Sequence, residues 1–273
     1  MIGLAIKSVL AQTITDFELI VVGDGCDDAT RAAVAAFDDP RLVFIDLPKA
    51  PYFGYANRNV ALERSSGRYV AMCSDDDLLF PDHLEAVLSE LGWGAPFVHT
   101  QALWVSADGI AAPFLTNLAN ADERRYFMER RNTLAASCIA YAADASTDRA
   151  LWPEDVPVAA DWALWKRLIG DGGGVAHVRL PTILHFVATW KTERHSHMPE
   201  LEMWLERHDR GFPWPDALRR DAGGRPIQHA YAESLDERAG AWIGECRRGV
   251  RDLTAKLAWS TLSEASLSEA DLP

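Results

Sequence analysis

The 273-residue chain is poor in cysteine and in basic charge, and it has no long apolar run. Its four cysteines, Cys26, Cys73, Cys138 and Cys246, are scattered and form no C-x-x-C pair. That excludes a disulfide framework or a cysteine-bound zinc site and fits a reducing, cytoplasmic setting. No apolar stretch approaches the roughly 18 residues of a membrane span, and no signal peptide is visible. Lys and Arg number 27 against 40 Asp and Glu, a formal charge of −13. Such a surface repels phosphate backbones, so nucleic acid is not a default partner. What is present is 48% hydrophobic and 25% charged residues, the composition of a soluble globular protein. A chain of this size buries about three quarters of its unfolded surface, enough for a core without staples.

Along the chain, strand and helix signals alternate. Ile2, Ala5, Ile6, Val9 and Leu10 share one helical face. Residues 17–22 (FELIVV) form a short apolar run of the kind buried on both faces in a parallel sheet. The loop GDGCDDAT follows, with Asp27 or Asp28 placed to cap a helix running to about Phe37. Residues 42–47 read as a second strand, 54–65 as a helix and 69–73 as a third strand. After Pro81, Leu84, Val87, Leu88 and Leu91 keep helical spacing. Residues 97–105 and 175–180 read as strands, the latter broken by Pro181, and 132–145 is ambiguous. Asp161 opens the helix DWALWKRLIG. From Asp236 on, Trp242, Ile243, Cys246, Val250 and Leu253 form an apolar stripe flanked by Arg247, Arg248 and Arg251. That stripe suits docking on its own domain or lying on an anionic membrane surface. The last dozen residues, rich in Ser and Glu, read as disordered.

This order argues for an α/β layered sheet, in which ligands sit outside the carboxyl ends of the strands. Two acidic loops, at 23–28 and 74–77, fall at such ends. Three adjacent carboxylates, Asp75, Asp76 and Asp77, repel one another unless a cation or solvent offsets their charge. The run is therefore a hard-cation site for Mg²⁺ or Mn²⁺, or a solvated turn. Asp24 is a hydrogen-bond acceptor for a nucleotide or a turn residue. Asp161 is a general base or a helix cap. His195 and His197 supply a metal ligand or diphosphate contact, or lie in a polar surface loop.

Taken together, FELIVVGDGCDDAT, GYANRNVALERSSGRYVAMCSDDDLLFPDHLE and DWALWKRL resemble the family 2 glycosyltransferases of the GT-A fold, over about residues 5–190. The resemblance implies a Rossmann-like mixed sheet flanked by helices, with residues 1–200 as the transferase domain. Residues 1–110 would be its nucleotide-binding half and 111–200 its acceptor half, with 201–273 a helical extension. It implies Asp24, Arg58 and Asp75 at the nucleotide-diphosphate sugar, the metal on Asp76 with His195, and Asp161 as base. The implied reaction is metal-dependent inverting transfer from that donor to a saccharide or lipid-linked acceptor in cell-envelope or exopolysaccharide synthesis. Asp77 is expected to cap the following turn, so that its loss is milder than that of Asp76.

The chain departs from the pattern at Gly23, at Ser74, and at its start. The family's opening strand and its Pro-Thr-Tyr-Asn-like loop have no counterpart before the first helix. The expectation is a sheet lacking an inner strand beside residues 17–22, with an unpaired edge there and an open nucleotide pocket. Two rival readings are a non-catalytic relative acting as a binding module and a phosphoryl-transfer enzyme. The latter lacks a phosphate-binding Lys or Gly-rich cradle near 74–77.

Overall fold

The computed structural model describes residues 1–144, 152–170, 174–186 and 214–270, with side chains to residue 255. The chain divides into two compact units, residues 1–102 with 115–185, and residues 103–114 with 186–273. The boundary expected at 200/201 lies outside the described residues.

In the first unit α1 (Ile2–Leu10) is followed by β1 (Leu19–Asp24), α2 (Asp28–Ala35) and β2 (Leu42–Leu47). Ala5, Ile6 and Val9 bury the expected face of α1. Asp27 caps α2 by accepting from the Thr30 N–H at 2.8 Å. β1 and β2 pair in parallel from Leu19–Leu42 to Asp24–Leu47 and form a two-stranded sheet.

The other strands are β3 (Tyr69–Ala71), β4 (Leu78–Leu79), β5 (Phe97–Val105), β6 (Ala111–Pro113), β7 (Ile139–Ala142) and β8 (Val175–Phe186). They make a second, six-stranded sheet in the order β3-β7-β5-β8-β4, with β6 added on β5. β3–β7, β5–β7, β5–β6 and β4–β8 are all antiparallel. Pairing thus runs in both directions, parallel between β1 and β2 and antiparallel in those four pairs, in two separate sheets.

That division corrects one expectation. Leu19, Ile20, Val21 and Val22 are only half-buried, not buried on both faces. Among the described residues β1 has a ladder partner on one side only, and a two-stranded ribbon leaves part of each face open. The starts of β1 and β3 are instead linked through a side chain. The Glu18 carboxylate accepts from the Ser66 N–H at 2.6 Å, the Ser66 hydroxyl at 2.9 Å and the Gly67 N–H at 3.2 Å. These bonds, led by the Ser66 N–H and opposed by slight burial, hold its carboxyl below the ordinary range.

A second correction concerns Pro181, which lies within β8 and does not break it. The pairing with β4 falls beyond it, at Ile183 and Leu184, where backbone N–H groups are again available. Between the strands lie α3 (Tyr55–Arg64), α4 (His83–Gly92), α5 (Ala121–Glu129) and α6 (Ala160–Gly170). Trp165 on α6 is wholly buried against Phe97 and Tyr141, with ring centroids 6.2 and 6.3 Å away. Trp165, Leu164 and Leu168 are core, as their spacing indicates.

In the second unit α7 (Ile227–Ala270) is one long helical element with non-helical backbone at Arg238. It continues through the segment expected to be disordered. Ala, Leu and Glu are good helix formers, and extending an existing helix avoids the cost of nucleation. Trp242, Ile243, Cys246, Val250 and Leu253 are buried, as docking requires. The Trp242 indole N–H donates to the Ala217 carbonyl at 2.9 Å, and the Tyr231 hydroxyl donates to the Gly109 carbonyl at 2.8 Å. Gly109 has φ +83°, and a Cβ there would sit 1.9 Å from the Arg220 carbonyl oxygen, so only glycine fits. All four cysteines are free thiols. No helix among the described residues is long and apolar enough to cross a membrane.

Candidate active site

Asp24 ends β1, where the strand opens into the loop that precedes α2. Its Oδ1 accepts from the Ala50 N–H and the Asn57 Nδ2–H, both at 2.7 Å, and its Oδ2 pairs with the Lys49 ammonium. Burial pushes its carboxyl up, but Ala50, Lys49 and Asn57 together outweigh that and hold it below the ordinary range. Two carboxylate oxygens offer about four acceptor positions, so three donors from this chain leave little room for more. Asp24 is thus the brace of the loop from Pro48 to Gly54, a task beyond the expected nucleotide contact. Gly54 makes the approach feasible: its φ is +72°, and a Cβ would come within 2.5 Å of Asp24 Oδ2. Tyr52 in the same loop takes φ +57°, a strained value for a non-glycine residue.

Gly54 starts α3, which presents Arg58 and Asn59. The Arg58 guanidinium carbon lies 4.5 Å from the centroid of the Trp152 ring and 5.4 Å from that of Tyr55. Burial holds the guanidinium below its ordinary range, while Tyr55, Asp161, Asp75 and Asp24 oppose that shift. Asn59 works on the other side of the helix turn. Its Nδ2 donates to the Trp152 carbonyl at 2.9 Å and to Glu154 Oε1 at 2.8 Å, and its Oδ1 accepts from the Trp152 N–H at 2.8 Å.

The acidic run lies between β3 and β4. Asp75 is exposed, Asp76 half-buried and Asp77 fully buried. Asp77, expected to cap the following turn, instead has its carboxylate turned inward. Its carboxylate accepts from the Ser137 hydroxyl at 2.5 Å and hydrogen-bonds His185 Nδ1 at 2.9 Å. Ser137 in turn accepts from the Ser74 N–H at 2.9 Å, which closes the turn onto the start of β7. The reason is steric: β4 follows at once and is buried, so the third carboxylate is carried inward with it.

Asp161 lies in the first turn of α6, where the helix dipole favours a negative charge. Its Oδ2 accepts from Asn132 Nδ2 at 3.1 Å. The helix starts from Ala159, whose carbonyl takes the first helical bond from the Ala163 N–H at 3.1 Å and whose φ is +56°. An alanine in the left-handed region costs about 1 kcal/mol or more. Ala159→Gly should therefore raise the melting temperature by a few degrees, since about 1 kcal/mol corresponds to ~2–4 °C at this size. A melting temperature at or below that of the parent would show that the surroundings, not the backbone, set this conformation.

Among the described residues no three His, Cys, Asp or Glu side chains gather about one point. An all-protein cage is therefore missing there. Mg²⁺ and Mn²⁺ at phosphate sites need only one or two carboxylates, with waters and substrate oxygens completing the shell. Asp75 and Asp76, on a part-exposed turn, fit that arrangement. His195 lies outside the described residues. Lys49, Asn57, Asn132, Ser137 and Trp152 escaped the sequence reading. Only Asn57, one helical position before Arg58-Asn59, lies inside a motif that could have exposed it.

The sequence model of the family described as Glycosyl transferase family 2 matches residues 1–147. A curated relative is the UDP-Glc:alpha-D-GlcNAc-diphosphoundecaprenol beta-1,3-glucosyltransferase WfgD of Escherichia coli. It is 38% identical over 88 residues, 32% of this chain and 34% of that protein. Relatives of this kind are longer than the stretch they share with this chain, which spans about a third of their length or less. Among solved structures, TarS 1-349 of S. aureus in complex with UDP-GlcNAc has a TM-score of 0.59 at 17% identity, covering 71% of this chain and 58% of that one. The mannosyltransferase PcManGT of Pyrobaculum calidifontis, in complex with GDP-Man and Mn²⁺, has a TM-score of 0.50 at 17% identity, covering 98% of this chain and 76% of that one. At these identities the likeness is one of fold.

Proposed function

The chain belongs to glycosyl transferase family 2 and has the GT-A fold, and from that premise we propose that it transfers a sugar, with inversion, from a nucleotide-diphosphate donor to an acceptor hydroxyl. The observation that carries this reading is the placement of Arg58. Its guanidinium lies over the Trp152 ring, 4.5 Å from the centroid, and makes no ion pair among the described residues. Such a cation keeps its N–H donors for an anionic ligand.

In this reading the donor diphosphate meets Arg58 and the turn bearing Asp75 and Asp76. Asp76, with Asp75 beside it, would hold Mg²⁺ or Mn²⁺; the ion's charge offsets that of the departing diphosphate. Asp24 keeps the loop from Pro48 to Gly54 against the nucleoside side. Asp161 takes the proton of the acceptor hydroxyl. That oxygen attacks the anomeric carbon from the face opposite the diphosphate, and the breaking carbon–oxygen pair leaves with the nucleoside diphosphate. The Mn²⁺ of PcManGT supports the use of a divalent ion. The diphosphoundecaprenol in WfgD's name supports a saccharide acceptor, free or lipid-linked, of the envelope-polysaccharide kind. The contact with a membrane would then be peripheral and made through the acceptor.

The test is donor binding by calorimetry with and without Mn²⁺. UDP-sugars and GDP-mannose should bind the parent in a Mn²⁺-dependent way. Asp76→Ala should abolish the Mn²⁺ dependence, weakening binding at least tenfold, about 1.4 kcal/mol, in a protein that still folds by circular dichroism. Binding that is absent in the parent, or indifferent to Mn²⁺ and to Asp76, would overturn the reading in favour of a non-catalytic relative.

A further inference from the structure

We infer that Trp152 is a positioning residue that holds the Arg58 guanidinium over its ring and out of any ion pair, so that its N–H groups are kept for the donor diphosphate. This rests on the donor reading given above. The physical difficulty is that a part-buried arginine normally closes a forked ion pair with a carboxylate, which uses its charge and its donors together. Here no such pair forms among the described residues. The guanidinium lies instead over the indole, 4.5 Å from the ring centroid. Stacking holds the plane of an arginine by its face and leaves the N–H edge free to donate.

The platform itself is immobilised on three sides. Tyr55 lies parallel to the indole, with centroids 5.7 Å apart and 6° between planes. Trp165 meets it edge-on, with centroids 5.7 Å apart and 68° between planes. Asn59, the residue after Arg58, grips the Trp152 backbone at both its N–H and its carbonyl. Trp152 is 5% exposed, so the guanidinium rests on a fixed surface that water scarcely reaches. The arrangement also joins the two halves of the proposed reaction. The helix bearing Arg58 grips, through Asn59, the segment that leads into the helix bearing Asp161. Orientation settled before the ligand arrives is the form in which a charged group contributes most to binding and to transition-state charge.

The experiment is a double-mutant cycle on donor affinity, measured by calorimetry with Mn²⁺ and UDP or GDP as the probe nucleotide. The variants are Trp152→Leu, Trp152→Phe, Arg58→Gln and the Trp152→Leu/Arg58→Gln pair, each checked for fold by circular dichroism and melting. Trp152→Leu should weaken nucleotide binding about tenfold in the parent background and by less than about twofold in the Arg58→Gln background. Trp152→Phe, which keeps an aromatic face, should recover most of the loss even if the leucine variant melts lower. A purely structural tryptophan would lower affinity equally in both backgrounds, and that result would overturn the inference. So would an unchanged affinity in Trp152→Leu. If Arg58→Gln alone left affinity unchanged, both this inference and the donor reading at Arg58 would fall. If Arg58→Gln weakened binding and the two losses were additive, only the inference would fall.

Discussion

Asp161→Asn should lower turnover by about 10²–10⁴-fold, the range for loss of a positioned general base, while donor affinity stays close to that of the parent. The substitution preserves size and keeps an oxygen for the bond from Asn132, which reaches Asp161 Oδ2 at 3.1 Å. What it removes is the charge, and with it the ability to take a proton from the acceptor hydroxyl. The two measurements separate the steps. In the proposed reading the donor meets Arg58 and the turn at 74–77, so calorimetry should see little change. The loss should appear in kcat, in step with kcat/KM for the acceptor, because the missing interaction is made only as the hydroxyl begins to bond. A turnover within about threefold of the parent would move the base elsewhere. Glu154 is the nearest alternative in sequence, but its Oε1 is engaged by Asn59.

Much of this site follows from local pattern. The helix start at Asp27, the paired strands at 19–24 and 42–47, and the face of α6 that buries Trp165 each depend on residues a few positions apart. Periodicity and capping chemistry report such features directly. What escaped reading is long-range. β3 pairs with β7, more than sixty residues later, and antiparallel, so the alternation of strands and helices gave no sign of its direction. The sheet divides between β1 and β3, leaving an apolar strand half-exposed, because burial depends on neighbours rather than on the strand's own composition. Trp152 sits in a Pro- and acid-rich stretch with no period, and its role depends on Asn59, 93 residues earlier. Asp24 was expected at the nucleotide; that Lys49 and Ala50 of the following loop and Asn57 of α3 donate to it gave no sign in the sequence, because they come from 25 to 33 residues further on.

Asp77 shows the same limit with the largest consequence for stability. As a cap for the following turn it was expected to matter less than Asp76. Its burial and partners point to a larger role in stability. Asp77 is 0% exposed, and it holds the hydroxyl of Ser137, 60 residues on, and the imidazole of His185, 108 residues on. Asp77→Ala should therefore destabilise the fold by about 3–5 kcal/mol, the cost of removing one partner from a buried charged network. At ~2–4 °C per kcal/mol, the melting temperature should drop by roughly 6–20 °C. The loss should reach the site as well. The bond from the Ser74 N–H to Ser137 and that from Ser137 to Asp77 run in series, so the turn bearing Asp75 and Asp76 loosens when the second is lost. Nucleotide binding with Mn²⁺ should weaken in Asp77→Ala together with the melting temperature, and the fall in melting temperature should exceed that of Asp76→Ala, whose residue is less buried. Asp77→Asn discriminates further: it keeps an acceptor for Ser137 but turns an amide donor toward a neighbour, and it should fall between the parent and the alanine variant. An Asp77→Ala protein that melts within about a degree of the parent would mean that Ser137 and His185 find other partners at little cost, and that the turn at 74–77 does not depend on the buried carboxylate.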